Sequence, residues 1–241
     1  MEHMQLVILA AGKGTRIRNL TSSNKCLLSV HGNPLLYYNV KLSETIHASK
    51  TILVVGYKRE EVISYISNNF SDQNISICVQ ECQDGIVGAI RTCEKEISDD
   101  FLLCLGDEYL LKPQISQMYT FWSQNACDIL CGIIPNKPFS EIKRTYALRL
   151  EDNYVKQVIE KPTQPFNDLL GTGYCMFSHK LLRYLSDVPL DPIRNQYELC
   201  DWIQIAINKG HICKTFPIGA DAFNINSTND YKIVESQNTK I

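Results

Sequence analysis

No apolar stretch of this chain approaches the roughly 20 residues needed to cross a bilayer. The N-terminus also lacks the basic-then-apolar pattern of a secretory leader. A cytoplasmic location is therefore the default expectation. Excess charge is missing as well. The chain holds 26 acidic and 24 basic residues, a formal net charge of −2, which offers nothing to non-specific nucleic-acid or membrane binding. No nucleic acid and no membrane are expected as partners. Cysteine is plentiful, at ten, but the tight CxxC pairs with partner histidines that mark a zinc site are absent. The closest spacings, Cys78/Cys82 and Cys127/Cys131, have no histidine at ligand spacing. Most of the ten lie in apolar runs such as "FLLCLG" and "GYCMF" and read as reduced, buried thiols.

One local absence is informative. Between Ala10 and Leu28 there is no Asp or Glu, yet the stretch "LAAGKGTRIRNLTSSNKCLL" carries Lys13, Arg16, Arg18 and Lys25 together with Gly12 and Gly14. A nearly neutral chain thus gathers positive charge on a glycine-bearing loop just after its first apolar run.

The pattern around that loop is α/β. "QLVILA", "TILVVG", "ISICVQ" and "FLLCLG" read as buried strands. They are separated by helices: one starting near Pro34, then "KREEVISYISNNF" and "GIVGAIRTCEKEI". Strands joined by crossover helices predict a parallel sheet. The second half is more mixed: "DILCGII", "TYALRL", "VKQVIE" and "GTGYCMFS" read as strands without long helices between them. A helix over "NQYELCDWIQIAINKG" closes at Gly210. "CKTFPI" and "AFNIN" are short late strands, and a last helix, "STNDYKIVESQ", is capped by Ser227 or Thr228. With no repeat, low-complexity run or linker, residues 1–241 read as a single Rossmann-like domain. Its sheet is mixed and mostly parallel, with a smaller strand-rich lobe.

A loop leaving the C-terminal end of a parallel strand is where open α/β sheets bind ligands. Glycines there let backbone N–H groups approach a phosphate, and Lys and Arg add charge-assisted hydrogen bonds. "AAGKGTR" therefore asks for a polyphosphate, unless it is only a solvated basic loop. It is not a P-loop, which needs GxxxxGK[ST]. It is not a dinucleotide fingerprint either, because the third glycine is missing.

The run "LAAGKGTRIRNLTSSNKCLLSVHGNPLL" resembles the N-terminal stretch of the sugar-1-phosphate nucleotidyltransferases, written in that family LAAGxGTRLxPLTxxxPKxLLPVxGKPLL. The likeness continues in order through "VQECQDGIVGAI", "LGDE", "VIEKP", "GTGYCMF" and "FNINSTNDY". It implies transfer of a nucleotidyl group from an NTP to a sugar 1-phosphate, with pyrophosphate released and Mg²⁺ as cofactor. Residues about 1–110 would form a nucleotide-binding half and about 111–241 a sugar-phosphate-binding half. The substrates would be small molecules, and a homo-oligomer is compatible with the family.

The resemblance also implies roles. Arg16 matches the arginine on the pyrophosphate leaving group and Lys25 the lysine near the α-phosphate, while Lys13 and Arg18 read equally well as solvated. Ala10, Ala11, Gly12, Gly14 and Thr15 would form the nucleotide loop. Asn24 replaces the motif proline and is expected to loosen it. Gln80 and Gly85 line up with members that read a pyrimidine: the amide accepts from N3–H and donates to a carbonyl, and by flipping it also serves cytosine. UTP or dTTP is expected ahead of CTP. Asp107 matches the Mg²⁺ aspartate, and Asn224 stands where many members place a second metal-binding Asp. Lys161 would hold the sugar phosphate, Glu160 would accept a sugar hydroxyl, and Gly173 would let the sugar approach the backbone. Glu108, where the family often has Asn, is given no firm role. Tyr146-Ala147 replaces a frequent Tyr-Gly and is expected to crowd the sugar side. None of the five histidines falls in a motif.

Two other readings remain open. A cytidylyltransferase for a non-sugar phosphate such as phosphocholine would need an aromatic or acidic cage, for which Tyr146, Tyr174, Phe223 and Trp202 are available. A non-catalytic regulatory subunit should have lost Arg16, Lys25 or Asp107, and all three are present. The chain continues only briefly past Tyr231, so no appended β-helix or acyltransferase domain is expected.

Overall fold

The structure is a computed structural model and describes residues 4–17 and 19–237; Arg18 lies outside the described residues. The chain opens with β1 (Met4–Ala10), a small hairpin of β2 (Ser29–Val30) and β3 (Asn33–Pro34), and α1 (Leu35–Thr45). Then β4 (Lys50–Val55), α2 (Arg59–Asn69), β5 (Ile75–Val79), α3 (Ile86–Cys93) and β6 (Asp100–Leu105) alternate. Next come β7 (Glu108–Leu111), α4 (Ile115–Gln124), β8 (Ile129–Ile134), α5 (Phe139–Ile142), β9 (Tyr146–Glu151), β10 (Tyr154–Glu160) and β11 (Leu170–Phe177). A 3₁₀ stretch, His179–Asp187, leads to α6 (Leu199–Asn208), β12 (Cys213–Pro217), β13 (Asp221–Asn224) and α7 (Thr228–Ser236).

Nine strands form one sheet in the order β10-β9-β11-β6-β1-β4-β5, with β8 also against β11 and β12 beyond β8. Pairings β1–β4, β1–β6, β4–β5 and β8–β12 are parallel. β11 runs against β6, β8 and β9, and β10 against β9. Only β10 and β11 therefore oppose the common direction, which gives the mixed, mostly parallel α/β sheet that the sequence predicts.

β1 is buried at every position because both of its faces are covered. Val7 and Leu9 pack into one core with α3 and α6, while Leu6 and Ile8 pack into the other with α1, α2 and α4. A third cluster joins Ile17, Val30, Tyr109, Ile225 and Val234, tying the glycine loop to the hairpin and α7.

The elements differ from expectation in specific places. Pro34 caps α1 rather than entering its first turn. The helix after Gly85 ends at Cys93 and tightens into a 3₁₀ turn over Glu94–Glu96. The helix expected from Asn195 starts only at Leu199, because the Asp191 carboxylate binds the Ile193 and Arg194 N–H groups in a turn and Asn195 takes φ +53°. β7 and α4 were not foreseen, although α4 buries Ile115, Met118 and Trp122 at helical spacing.

Trp202 of α6 locks the first core. It is 1% exposed, stacks on Phe177 at 4.5 Å between ring centroids, and donates its indole N–H to the Leu181 carbonyl at 3.2 Å. Trp202→Ala is expected to cost about 3–5 kcal/mol, with the melting temperature falling about 2–4 °C per kcal/mol in a chain of this size. Thermal unfolding followed by circular dichroism checks this.

Candidate functional site

Strands β1, β5 and β6 deliver their C-terminal ends to one edge of the sheet. A cleft of about 540 Å³ opens there. The glycine loop forms one wall. Gly14 takes φ +54°, and a Cβ on it would lie 2.9 Å from the Lys25 Cβ, so the two arms of the loop touch where only glycine fits. Ile17 plugs into the third cluster at 1% exposure. Arg16, exposed on the same turn, has no ion-pair partner among the described residues.

Asn24 overturns the expectation of a looser loop. It is fully buried. Its Nδ2 donates to the carbonyls of Tyr57 (2.7 Å) and Ala10 (3.3 Å), its N–H to Glu61 Oε2 (3.1 Å), and its Oδ1 accepts from the Cys26 N–H (2.9 Å). A proline would hold one dihedral, whereas this side chain ties the loop to two neighbouring segments.

The positive charge of the loop is also less isolated than its sequence implies. Lys25 is 5% exposed, and its Nζ lies 2.7 Å from Asp107 Oδ2, 2.7 Å from Asn224 Oδ1 and 3.3 Å from Asn226 Oδ1. The missing acid is 82 residues away in sequence. β13 and the residues just after it supply the amides: Asn224 pairs with Glu108 of β7, which sets it beside Asp107. Asn226 Nδ2 in turn donates to Asn224 Oδ1 at 3.0 Å and fixes which end of that amide faces Lys25.

On a second wall stand Gln80 and Gly85. Gln80 is 5% exposed, and its Nε2 donates to Asp84 Oδ1 at 2.9 Å. Gly85 takes φ +109°, and a Cβ there would sit 2.6 Å from the Tyr197 carbonyl.

The third wall comes from β9, β10 and β11. Lys161 follows β10 at φ +44°, its N–H bound to the Thr145 carbonyl at 2.6 Å. Its Nζ lies 3.2 Å from Glu160 Oε1. Burial, reinforced by nearby Glu198, raises the Glu160 pKa against the pull of Lys161. Glu108 crosses from β7 to β11 and accepts the Gly173 N–H at 2.8 Å; a Cβ on Gly173 would collide with Leu105 and with Glu108 Oε2. Burial pushes the Glu108 pKa up to about 8.

Of the predicted residues, Ala10 alone lies off the cleft: its side chain packs in the second core and its carbonyl serves Asn24. Ala147 does not crowd the sugar side, because it alternates into the second core while Tyr146 lines the cleft. The aromatic cage does not assemble. Tyr174 and Trp202 are buried in the cores and Phe223 packs on the third cluster, leaving Tyr146 alone on the cleft wall. None of the described histidines lines the cleft; His3 lies outside the described residues. All ten cysteines are free thiols. Sequence reasoning missed Asn226, Arg144, Thr172 and Glu198, all on the cleft wall. For Asn226 the signal was present: "NIN" spaces two amides two residues apart.

The raised Glu108 pKa makes a stability prediction. A carboxyl whose folded pKa lies above its unfolded value contributes stability that is full below the unfolded pKa and is lost as pH rises through about 8. Glu108→Gln keeps an acceptor for Gly173 without the titration. The melting temperature of the variant relative to wild type is expected to climb between pH 5 and 8 and level off above, measured in metal-free buffer.

The nucleotidyl transferase family model matches residues 5–218. The UTP–glucose-1-phosphate uridylyltransferase AglF of Haloferax volcanii is 30% identical over 210 residues, 86% of this chain and 85% of that protein. The bifunctional protein GlmU of Methanococcus maripaludis is 28% identical over 87% of this chain, which spans 48% of that relative's length. Among solved structures, a UDP-glucose pyrophosphorylase complexed with UDP-glucose superimposes with TM-score 0.84 at 19% identity, covering 97% of each chain. Among the described residues no helix is long and apolar enough to cross a membrane. With a family model spanning most of its length and the loop, strand ends and EKP turn gathered round one cleft, the chain belongs to the nucleotidyl transferase family and is an enzyme of its sugar-1-phosphate nucleotidyltransferase group.

Proposed function

We propose that this enzyme joins a pyrimidine nucleoside triphosphate, UTP or dTTP, to a sugar 1-phosphate, giving the nucleoside-diphosphate sugar and pyrophosphate. One observation carries the reading. The Lys25 ammonium, Asp107 and Asn224 converge within 2.7 Å, in a cleft whose other walls hold the Gln80/Gly85 pair and the Glu160/Lys161 pair. That is the arrangement needed to bring two phosphates together between a base and a sugar.

A phosphate oxygen of the sugar phosphate attacks the α-phosphorus in line. The bond to the bridging oxygen of the β-phosphate breaks, and pyrophosphate leaves. The nucleophile is already an anion, so no base has to remove a proton, and the cleft has no histidine among the described residues. Catalysis is positioning and charge neutralisation. Arg16, without an ion-pair partner among the described residues, takes the leaving pyrophosphate. Lys25 moves from its carboxylate to the α-phosphate. Lys161 holds the acceptor phosphate, and Glu160 accepts a sugar hydroxyl.

The residues around Lys25 also suit Mg²⁺. Three side-chain oxygens, one a carboxylate, already face a positive charge, and a hard cation that keeps few protein ligands takes the rest from phosphate oxygens and water. Asp107 and Asn224 would hold it. When bound it would neutralise charge on the phosphates and the leaving group. Cytoplasmic location and homo-oligomer formation remain part of this proposal.

Arg16→Ala and Lys25→Met are each expected to lower kcat by about 10²–10³-fold, the usual loss of one preorganised contact to a transition state. Pyrophosphate release, scored for four NTPs crossed with several sugar phosphates, reads this out. A fall in melting temperature without a fall in kcat would assign Lys25 to structure alone. Asp107→Ala is expected to abolish Mn²⁺ binding in the presence of UTP, followed by electron paramagnetic resonance.

A further inference from the structure

Gln80 is an ambiguous reader by itself. An amide offers a donor and an acceptor side by side, and rotation by half a turn exchanges them. In one setting it matches the carbonyl and N3–H of uracil or thymine. In the other it matches the amino group and bare N3 of cytosine. A pocket that relied on Gln80 alone would accept both.

The surroundings of Gln80 remove the ambiguity. Its nitrogen faces two acceptors, Asp84 Oδ1 at 2.9 Å and the Gly85 carbonyl at 3.4 Å. A carboxylate and a carbonyl donate nothing, so the nitrogen end has to point at them. Oε1 has no protein partner among the described residues. It is not sealed from solvent either, and it belongs to a cleft-lining side chain. Asp84 is itself fixed. Its N–H binds the Cys82 carbonyl at 2.9 Å and its carbonyl accepts the Tyr197 N–H at 2.7 Å. Its carboxylate lies over α3 where a Cβ on Gly88 would stand 1.9 Å from Oδ1, so Gly88 makes room for it.

We infer that Asp84 is the specificity-determining residue of the base pocket: by anchoring the nitrogen of Gln80 it presents a donor–acceptor edge that fits uracil or thymine and excludes cytosine. One N–H of Nε2 is spent on Asp84. The other N–H, in only a long contact with the Gly85 carbonyl at 3.4 Å, turns with Oε1 to the base. Turning Gln80 to suit cytosine would bring Oε1 against Asp84 Oδ1 and the Gly85 carbonyl, three acceptors with no proton between them. Asp84 is a positioning residue that acts through Gln80 and need not touch the nucleotide. This rests on the pyrimidine reading of Gln80 and Gly85 given above.

Asp84→Asn keeps the shape and lets the new amide face Gln80 with either end. The measurement is kcat/KM, with equilibrium dissociation constants, for UTP, dTTP, CTP, ATP and GTP. Wild type is expected to favour UTP or dTTP over CTP. In Asp84→Asn the UTP:CTP ratio is expected to collapse by about tenfold or more, the scale of an unpaired buried polar group, chiefly through better CTP binding and with UTP turnover little changed. Gly88→Ala, which displaces the carboxylate from a different element, is expected to shift the ratio the same way. Melting temperatures of both variants check that they fold. A UTP preference with an unchanged UTP:CTP ratio in folded Asp84→Asn overturns the role of Asp84 and leaves the pyrimidine pocket standing. A wild-type preference for ATP or GTP overturns the pyrimidine reading itself, and this inference with it.

Discussion

The site is organised by one buried cation. Lys25 is nearly sealed from water, and a lysine so placed is costly unless paired and hydrogen-bonded. Its partners come from remote parts of the chain: Asp107 after β6 and Asn224 at the end of β13, the latter 199 residues away. Three segments that would otherwise end as independent loops are thereby held at one point. Asn24 anchors the same loop from behind, and Gly14 lets its two arms close on each other. The cost of burying the charge is offset only when all three segments arrive, so the cleft is assembled together with the fold.

The reversal of β11 explains how the wall built from β9, β10 and β11 comes to face the glycine loop. In the parallel half, β1, β4, β5 and β6 send their loops to the same edge. β11 enters antiparallel beside β6, so its start, with Gly171 and Gly173, lies next to the end of β6, where Asp107 and Glu108 stand. Glu108 spans that junction through the Gly173 N–H. Burying this carboxyl raises its pKa, which is the cost of an acceptor rigid enough to hold the first residues of β11 against the end of β6.

What the sequence made legible follows from the range of the interactions involved. The parallel half was readable because each strand is a short apolar run between helices, and β1 shows both cores in its alternation. The motif residues were readable as types, and all but Ala10 reached the cleft wall. The pairing of Lys25 was not readable, since charge was counted along the chain while the compensating acid sat across the sheet. Asn24 reads in sequence as the loss of proline's backbone restraint, whereas in the fold its buried side chain makes three hydrogen bonds. The late start of α6 was hidden by a turn at Asp191, whose side chain holds the two N–H groups just before the expected start and which leaves Asn195 at φ +53°, outside the helical range.

The charges in the cleft are sorted, and the sorting bears on how two anionic substrates share it. Cations lie along the loop and at the EKP turn: Lys13, Arg16, Lys25 and Lys161, with Arg144 also on the cleft wall. Asp107 sits with Lys25, and the other acids, Glu108, Glu160 and Glu198, lie on the wall built from β7, β10 and the start of α6. Each of these three is tied to a donor, the Gly173 N–H, Lys161 and Arg194 respectively. On the proposed function, phosphates would be drawn to the strip of cations between the walls. Because Lys25 is held by Asp107 and Asn224, its proposed shift toward a phosphate would release both side chains. The contact that ties the loop to the end of β6 would then be the one that responds to a bound nucleotide.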